Sequence, residues 1–303
     1  MTAAIEASVL GKKYGRRWAL SDCTLSIPVG RVVGLVGPNG AGKTTLLNLA
    51  TGMLGPTTGS IRVLGGAPGS GPAQLARVGY VAQDAPIYAG LSVADHLRLG
   101  AHMNPGWDAD LADRRIRQLG LVAKQKGGTL SGGQRAQLAL TLAIAKRPEL
   151  LILDEPIASL DPLARREFLQ VLMETTAEHD VSVIMSSHLV ADLERISEYL
   201  VVLVDSRVQV AGEIDELLGS HQLLTGARRD PAAMPANQHV ITASHTDRQS
   251  TILVRCDEPI LDPSWSVDQI DLEDLVLAYM GQARTSRLSP SPDADTKILE
   301  EKR

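Results

Sequence analysis

Lys43 follows a loop with glycines at positions 37, 40 and 42 and precedes the hydroxyls of Thr44 and Thr45. Those residue types in that spacing are suited to holding a polyphosphate. Glycines without a Cβ let backbone N–H groups curl around an anion, and a helix starting at the lysine adds its positive dipole end. Lys43 would then reach the β- and γ-phosphates, and the Thr44 hydroxyl would sit on Mg²⁺. Read without context, the same residues make a glycine-rich turn with a surface lysine. The context decides. Val32–Val36 before the loop is a short apolar run fit for a buried parallel strand, and Leu46, Leu47, Leu49 and Ala50 after it fall at helical spacing.

Other residues could join that chemistry. Leu150–Leu153 reads as a buried parallel strand ending in Asp154 and Glu155. A carboxylate at the carboxyl end of such a strand is placed to organise Mg²⁺, and Glu155 beside it to polarise a water. Leu130-Ser131-Gly132-Gly133-Gln134 opens a helix. Ser131 is a good N-cap and the glycines bare backbone amides, which makes a second anion-binding helix end. Tyr14 reads either as a loop residue over a core edge or as a platform for adenine. Gln83 leaves a strand edge, Asp161 opens a helix, and His188 closes a strand, where a lone histidine is more often structural than catalytic.

The elements around these residues alternate in type. Ile5–Leu10 and Ala19–Ile27 are expected as antiparallel strands, and Ser60–Leu64 and Arg77–Ala82 as two more, around a turn at GGAPGSGP. From Pro86 to about Arg147 the apolar spacing turns helical. Pro162–Met173 is a further helix, Val181–Met185, Leu200–Val204 and Arg207–Val210 are strands, and Glu213–Leu218 is a short helix. Arg228–Gln238, rich in proline, alanine and polar residues, reads as linker. His239–Ala243 and Thr251–Arg255 read as a strand pair, and Asp271–Met280 as a helix. The chain past Gly281, with Ser-Pro repeats and mixed charge, is expected to be disordered.

Composition narrows the partners. With aromatics at 3%, a single phenylalanine and a net charge of −5, neither a stacking surface nor a basic groove for nucleic acid is expected. The Arg16-Arg17 pair is expected on a solvated face. Cys23 and Cys256 show no metal spacing and suit free thiols in a reducing compartment. No opening signal peptide is expected, and the longest apolar runs are of strand length, so any membrane role must come through a partner.

Gly37–Thr44, Gln83, Leu130–Gln134, Leu150–Glu155, Asp161 and His188 stand in one order, and together they resemble the nucleotide-binding subunit of an ATP-binding cassette (ABC) transporter. The resemblance covers roughly Ala4–Leu218, and LSGGQ between the two nucleotide motifs is its most specific part. It implies an α/β fold: a P-loop NTPase (RecA-like) core, an antiparallel β subdomain and an α-helical subdomain (about 86–148) carrying LSGGQ. A linker (219–238), a small C-terminal α+β extension (239–281) and a disordered tail (282–303) complete the expected organisation.

The resemblance also implies roles. Tyr14 would stack on adenine; Gly37, Asn39, Gly40, Gly42, Lys43, Thr44 and Thr45 would hold ATP; Thr44, Gln83 and Asp154 would serve Mg²⁺. Glu155 would be the general base, with Gln83 near the attacking water and His188 on the γ-phosphate. Ser131, Gly132, Gly133 and Gln134 would complete the nucleotide site of a second copy packed head to tail, and Asp161 would also belong to the nucleotide-binding residues. The implied partners are that second copy, in a homodimer, and integral-membrane permease subunits, with the chain peripheral on the cytoplasmic face of the cell membrane. Asp271–Met280 resembles the close of drug- and antibiotic-export ATPases, so an efflux pump with a separately encoded permease is expected. The alternative is an ATPase driving a non-transport membrane complex for mechanotransmission, lipid or cell-wall handling. Three positions depart from the usual pattern: Ala158 for a small polar residue, Gln137 for an arginine, and Asp95 for a glutamate.

Overall fold

The computed structural model describes residues 3–288, and the chain divides into two compact units, Met1–Ile214 and Asp215–Arg303. The first unit opens with a hairpin, β1 (Ala3–Tyr14) and β2 (Arg17–Pro28), whose turn is Gly15-Arg16. Next come β3 (Val32–Val36), α1 (Lys43–Ala50), β4 (Thr58–Val63), α2 (Pro72–Arg77) and β5 (Val78–Val81). Three helices follow, α3 (Val93–Met103), α4 (Ala109–Gln118) and α5 (Gly132–Ala145). The unit closes with β6 (Leu150–Asp154), α6 (Pro162–Glu178), β7 (Ser182–Ser187), α7 (Val190–Glu194), β8 (Tyr199–Val204) and β9 (Arg207–Glu213).

The strands form two sheets. β1 is central in an antiparallel sheet of order β2-β1-β4, and the larger sheet runs β5-β6-β7-β3-β8-β9, parallel except for β9. Every residue of β6 and β7 is buried, as inner strands of a sheet covered on both faces require. The carboxyl ends of β3, β5, β6 and β7 carry the phosphate loop, Gln83, Asp154-Glu155 and His188. Ligands of such sheets bind at that edge. The register makes the ends level, with Val36 beside Ser187 and Asp154 beside Ser186.

The three-helix region has its own apolar cluster of Val93, Ile116, Leu121, Leu130 and Leu138. The departure at Asp95 keeps its local function. Its carboxylate accepts from the Ser92 N–H at 2.8 Å, while Ser92 Oγ accepts from the Asp95 N–H at 3.1 Å, a complete capping box. At Gln137 the amide oxygen accepts from the buried Arg115 guanidinium at 3.2 Å, so α4 supplies a cation to this helix. The segment GGAPGSGP, read as a turn, instead leads into α2, with Pro72 at its first position where the missing N–H costs nothing. The structure also runs α6 on to Glu178, because nothing in the chain breaks it before His179.

The second unit corrects two expectations. The stretch 219–238 is not a linker throughout. After α8 (Ile214–Ser220) it holds β10 (His221–Ala227), an inner strand of an antiparallel sheet with β11 (His239–His245), β12 (Gln249–Arg255) and β13 (Trp265–Asp268), in the order β11-β12-β10-β13. Leu223 and Leu224 stand next to each other, so β10 lacks the alternation that marks a half-exposed strand; pairing on both edges holds it instead. Second, α9 spans Leu272–Leu288, so residues 282–288, assigned to a disordered tail, are helical. Gln282, Ala283 and Arg284 are good helix formers. The rest of that expected tail lies outside the described residues.

Candidate functional site

The phosphate loop is shaped by close approaches that only glycine permits. A Cβ on Gly37 would lie 2.0 Å from the Leu203 carbonyl oxygen, and one on Gly42 would lie 2.3 Å from that of Ala19. Gly42 is also left-handed, at φ 110°, and it is the N-cap of α1. It brings no side-chain cap, so the first N–H groups of α1 have no side-chain acceptor at the N-cap. An uncapped helix end behind a glycine loop is a ready anion site.

Lys43 bridges this loop to Glu155. Its Nζ donates to the Gly37 carbonyl at 2.7 Å and stands 3.2 Å from Glu155 Oε1. The other carboxylate oxygen, Oε2, accepts from His188 Nδ1 at 2.9 Å, which puts the imidazole proton on Nδ1. Lys43 and Glu155 are both buried, at 6% and 9% exposure. Burial works against ionising Glu155, but the hydrogen bonds from His188 and Lys43 outweigh it and hold the carboxyl below its ordinary range. This ion cluster therefore stabilises the fold above the ordinary carboxylate range. The contribution is lost as pH falls through the depressed value.

The backbone aims Glu155. Its φ is 44°, a conformation that costs a non-glycine residue roughly 1–3 kcal/mol. Ser186, fully buried on the neighbouring strand, holds it: Oγ accepts from the Glu155 N–H at 2.8 Å and donates to Asp154 Oδ1 at 2.8 Å. No sequence motif marks Ser186; a serine pair directly after the apolar run Val183–Met185 was the available signal. Ser186→Ala should strand the buried Glu155 N–H and one Asp154 oxygen, lowering unfolding free energy by about 2 kcal/mol or more in urea titrations. ATP hydrolysis should fall with it.

Ten of the anticipated residues meet in one cleft of about 650 Å³: Tyr14, Asn39, Gly40, Gly42, Lys43, Thr44, Thr45, Gln83, Glu155 and His188. Arg17, Ala19 and Ala158 line it as well, none of them anticipated there. Gly37 supports the loop without lining the cleft. Asp154 lies buried behind it, at 1% exposure. The helix-end residues are elsewhere. Ser131, Gly133, Gln134 and Asp161 line a separate cleft of about 210 Å³ between α5 and α6. There Ser131 Oγ accepts from the Gln134 N–H at 3.2 Å and Gln134 Oε1 from the Ser131 N–H at 3.0 Å. Gly132, at the first position of α5, faces open space. Asp161 caps α6, accepting from the N–H groups of Leu163 and Ala164, both at 3.0 Å.

A parallel sheet with a glycine loop, a buried lysine and paired carboxylates at its carboxyl edge defines a P-loop nucleoside triphosphatase. Comparison with known proteins narrows that class. The family described as "ABC transporter" matches residues 20–158. The thiamine import ATP-binding protein ThiQ of Salmonella choleraesuis is 35% identical over 204 residues, covering 64% of this chain and 85% of the relative. ThiQ of Escherichia coli is 34% identical with similar coverage. Among solved structures, an ATP-binding subunit of an ABC transporter superposes with a TM-score of 0.64 at 28% identity, covering 71% of this chain and 91% of the other. CbiO1 from Clostridium perfringens, part of the ABC transporter complex cbiONQ, gives 0.62 at 25%, with coverages of 72% and 92%.

The chain belongs to the ABC transporter family as an ATP-binding subunit, and it is an ATPase that uses Mg²⁺. The residues fit that metal. The Thr44 hydroxyl and the Gln83 amide line the cleft, and the Asp154 carboxylate is buried at the end of β6; all three offer hard oxygens. Among the described residues no group of three or more histidine, cysteine, aspartate and glutamate side chains is placed to hold a metal ion.

Proposed function

We propose that two copies of the chain, packed head to tail around two ATP molecules, energise a separately encoded membrane permease. In this reading Tyr14 stacks on adenine, while Asn39, Gly40, Gly42, Lys43, Thr44 and Thr45 bind the phosphates. Thr44, Gln83 and Asp154 hold Mg²⁺, which neutralises phosphate charge when bound. Glu155 takes the proton from the attacking water, and His188 turns its proton to the γ-phosphate. Ser131, Gly132, Gly133 and Gln134, with Asp161 beside them, close on the nucleotide of the other copy, which gives the second anion-binding helix end a phosphate to bind. Phosphate entering the cleft would draw Lys43 and His188 from Glu155 and free it as a base.

One observation carries the membrane partner. An apolar groove of about 530 Å³ is lined by Met53, Leu75, Ile87 and Met103, and also by Ala82 and Pro86. Met53 and Met103 are 65% and 71% exposed. The segment from Ala82 to Pro86 thus starts and ends in the groove while Gln83, between them, lines the nucleotide cleft. A helix of a membrane protein seated there would touch the segment that senses the nucleotide. Among the described residues no helix is long and apolar enough to cross a membrane, so this reading takes the spans from the partner.

Two directions of transport have support. Export of a drug, antibiotic or other hydrophobic compound rests on the likeness of Asp271–Met280 to the close of export ATPases. Import rests on the thiamine import proteins, whose likeness covers 64% of this chain. Reconstitution with the co-purified permease, with ATP on the cassette side, tests both. Lumenal accumulation of a hydrophobic dye supports export, and ATP-dependent release of lumenal thiamine supports import. A partner that stimulates ATP hydrolysis but moves neither solute, and carries a large extracytoplasmic domain, supports the mechanotransmitting alternative.

A further inference from the structure

The two adjacent arginines of the first hairpin do not share an environment. Arg16 sits in the turn, whereas Arg17 pairs directly with Tyr14 across the strands. Residues directly opposite in an antiparallel pair project from the same face, as do residues two apart in one strand. Tyr14, Arg17 and Ala19 accordingly all line the nucleotide cleft, while Trp18 turns away under the Lys13 ammonium, 5.3 Å from its ring centre. An Arg17 guanidinium nitrogen, Nη2, lies 3.9 Å from where a Cβ on Gly40 would stand, at the edge of the phosphate loop. Among the described residues no carboxylate pairs with Arg17, whereas Arg207 of β9 is paired with Asp22 of the same hairpin.

We propose that Arg17 is a further nucleotide-binding residue, its guanidinium holding the α-phosphate of the bound nucleotide. The inference rests on the reading of this cleft as the ATP site. The order of groups in the ligand sets the position. Base and ribose belong at Tyr14, and the β- and γ-phosphates at Lys43. The α-phosphate lies between, where Arg17 meets Gly40. An exposed guanidinium without a carboxylate partner need break no ion pair to bind it, and its fork of donors matches phosphate oxygens.

Calorimetric titration of ATP, ADP and adenosine tests this with the wild type, Arg17→Ala, Arg17→Lys, Arg16→Ala and Lys43→Ala. Arg17→Ala should weaken ATP and ADP by the same factor, roughly ten-fold or more, and leave adenosine unchanged. Arg17→Lys should recover part of the loss, and Arg16→Ala should bind like wild type. The side chain is exposed, so melting temperatures should match. Unchanged ATP and ADP affinity in Arg17→Ala overturns the inference. A loss confined to ATP overturns it by putting the guanidinium on the γ-phosphate, and an equal loss for adenosine by putting it on the nucleoside. If Lys43→Ala also binds ATP normally, the reading of the cleft itself fails; if only the Arg17 variants do, that reading stands.

Discussion

Glu155→Gln should lower ATP turnover by roughly a hundred-fold or more, the loss expected when a general base is removed. It should also leave an ATP-bound dimer that persists on size-exclusion chromatography. Glutamine has the shape of glutamate and keeps one acceptor, which can still receive the Lys43 ammonium where Oε1 does now, at 3.2 Å. The amide nitrogen would then face His188, whose ring can move its proton to the outer nitrogen. ATP binding therefore survives, while the atom that accepts the water's proton is gone. Phosphate release measured beside ATP affinity separates the two steps. Near-normal hydrolysis in this variant would remove Glu155 from the role of base.

Lys43→Ala should reduce ATP binding below detection in the same titrations, because the only buried cation among the cleft-lining residues is lost. A second effect follows from the ion cluster. Without Lys43, Glu155 keeps one hydrogen bond, from His188, in a site that disfavours its charge. Its pKa should rise, and the stability it supplies at neutral pH should shrink. Removing one partner of a fully buried pair costs about 3–5 kcal/mol, and less here because His188 remains and the cleft is open. Adding Glu155→Gln to Lys43→Ala should restore much of that stability, since no uncompensated carboxylate is left, while ATP binding stays lost. Recovered binding in the double variant, or unchanged ATP affinity in Lys43→Ala, would sink the assignment of Lys43 to the phosphates.

Most of the cleft was legible because its parts are local. A phosphate loop needs strand, glycines, lysine and helix in unbroken succession, and that succession is itself a sequence pattern. Asp154 and Glu155 were readable for the same reason, at the end of a run too apolar to be anything but buried. Features that depend on a second element carry no such pattern. Strand β10 has no alternation of its own and is held by the neighbours on both edges. Ser186 has no motif; it matters because the register sets it beside Asp154.

The sequence by itself determined the chemistry available: a lysine and amides for phosphate, oxygen donors for Mg²⁺, a carboxylate for water, and a second helix end for an anion. Each follows from residue types within a few positions of one another. Tertiary structure decided which of these meet. Strand order brought Lys43, Glu155 and His188, far apart in the chain, within hydrogen-bonding distance, and strand alternation turned Arg17 into the cleft while leaving Arg16 in the turn. It also put Ser131 and Asp161 in a different cleft from Lys43. The physical reason is that a motif states what a backbone segment can bind, whereas the neighbours across a sheet, set by pairing over long sequence distances, state what it will bind beside.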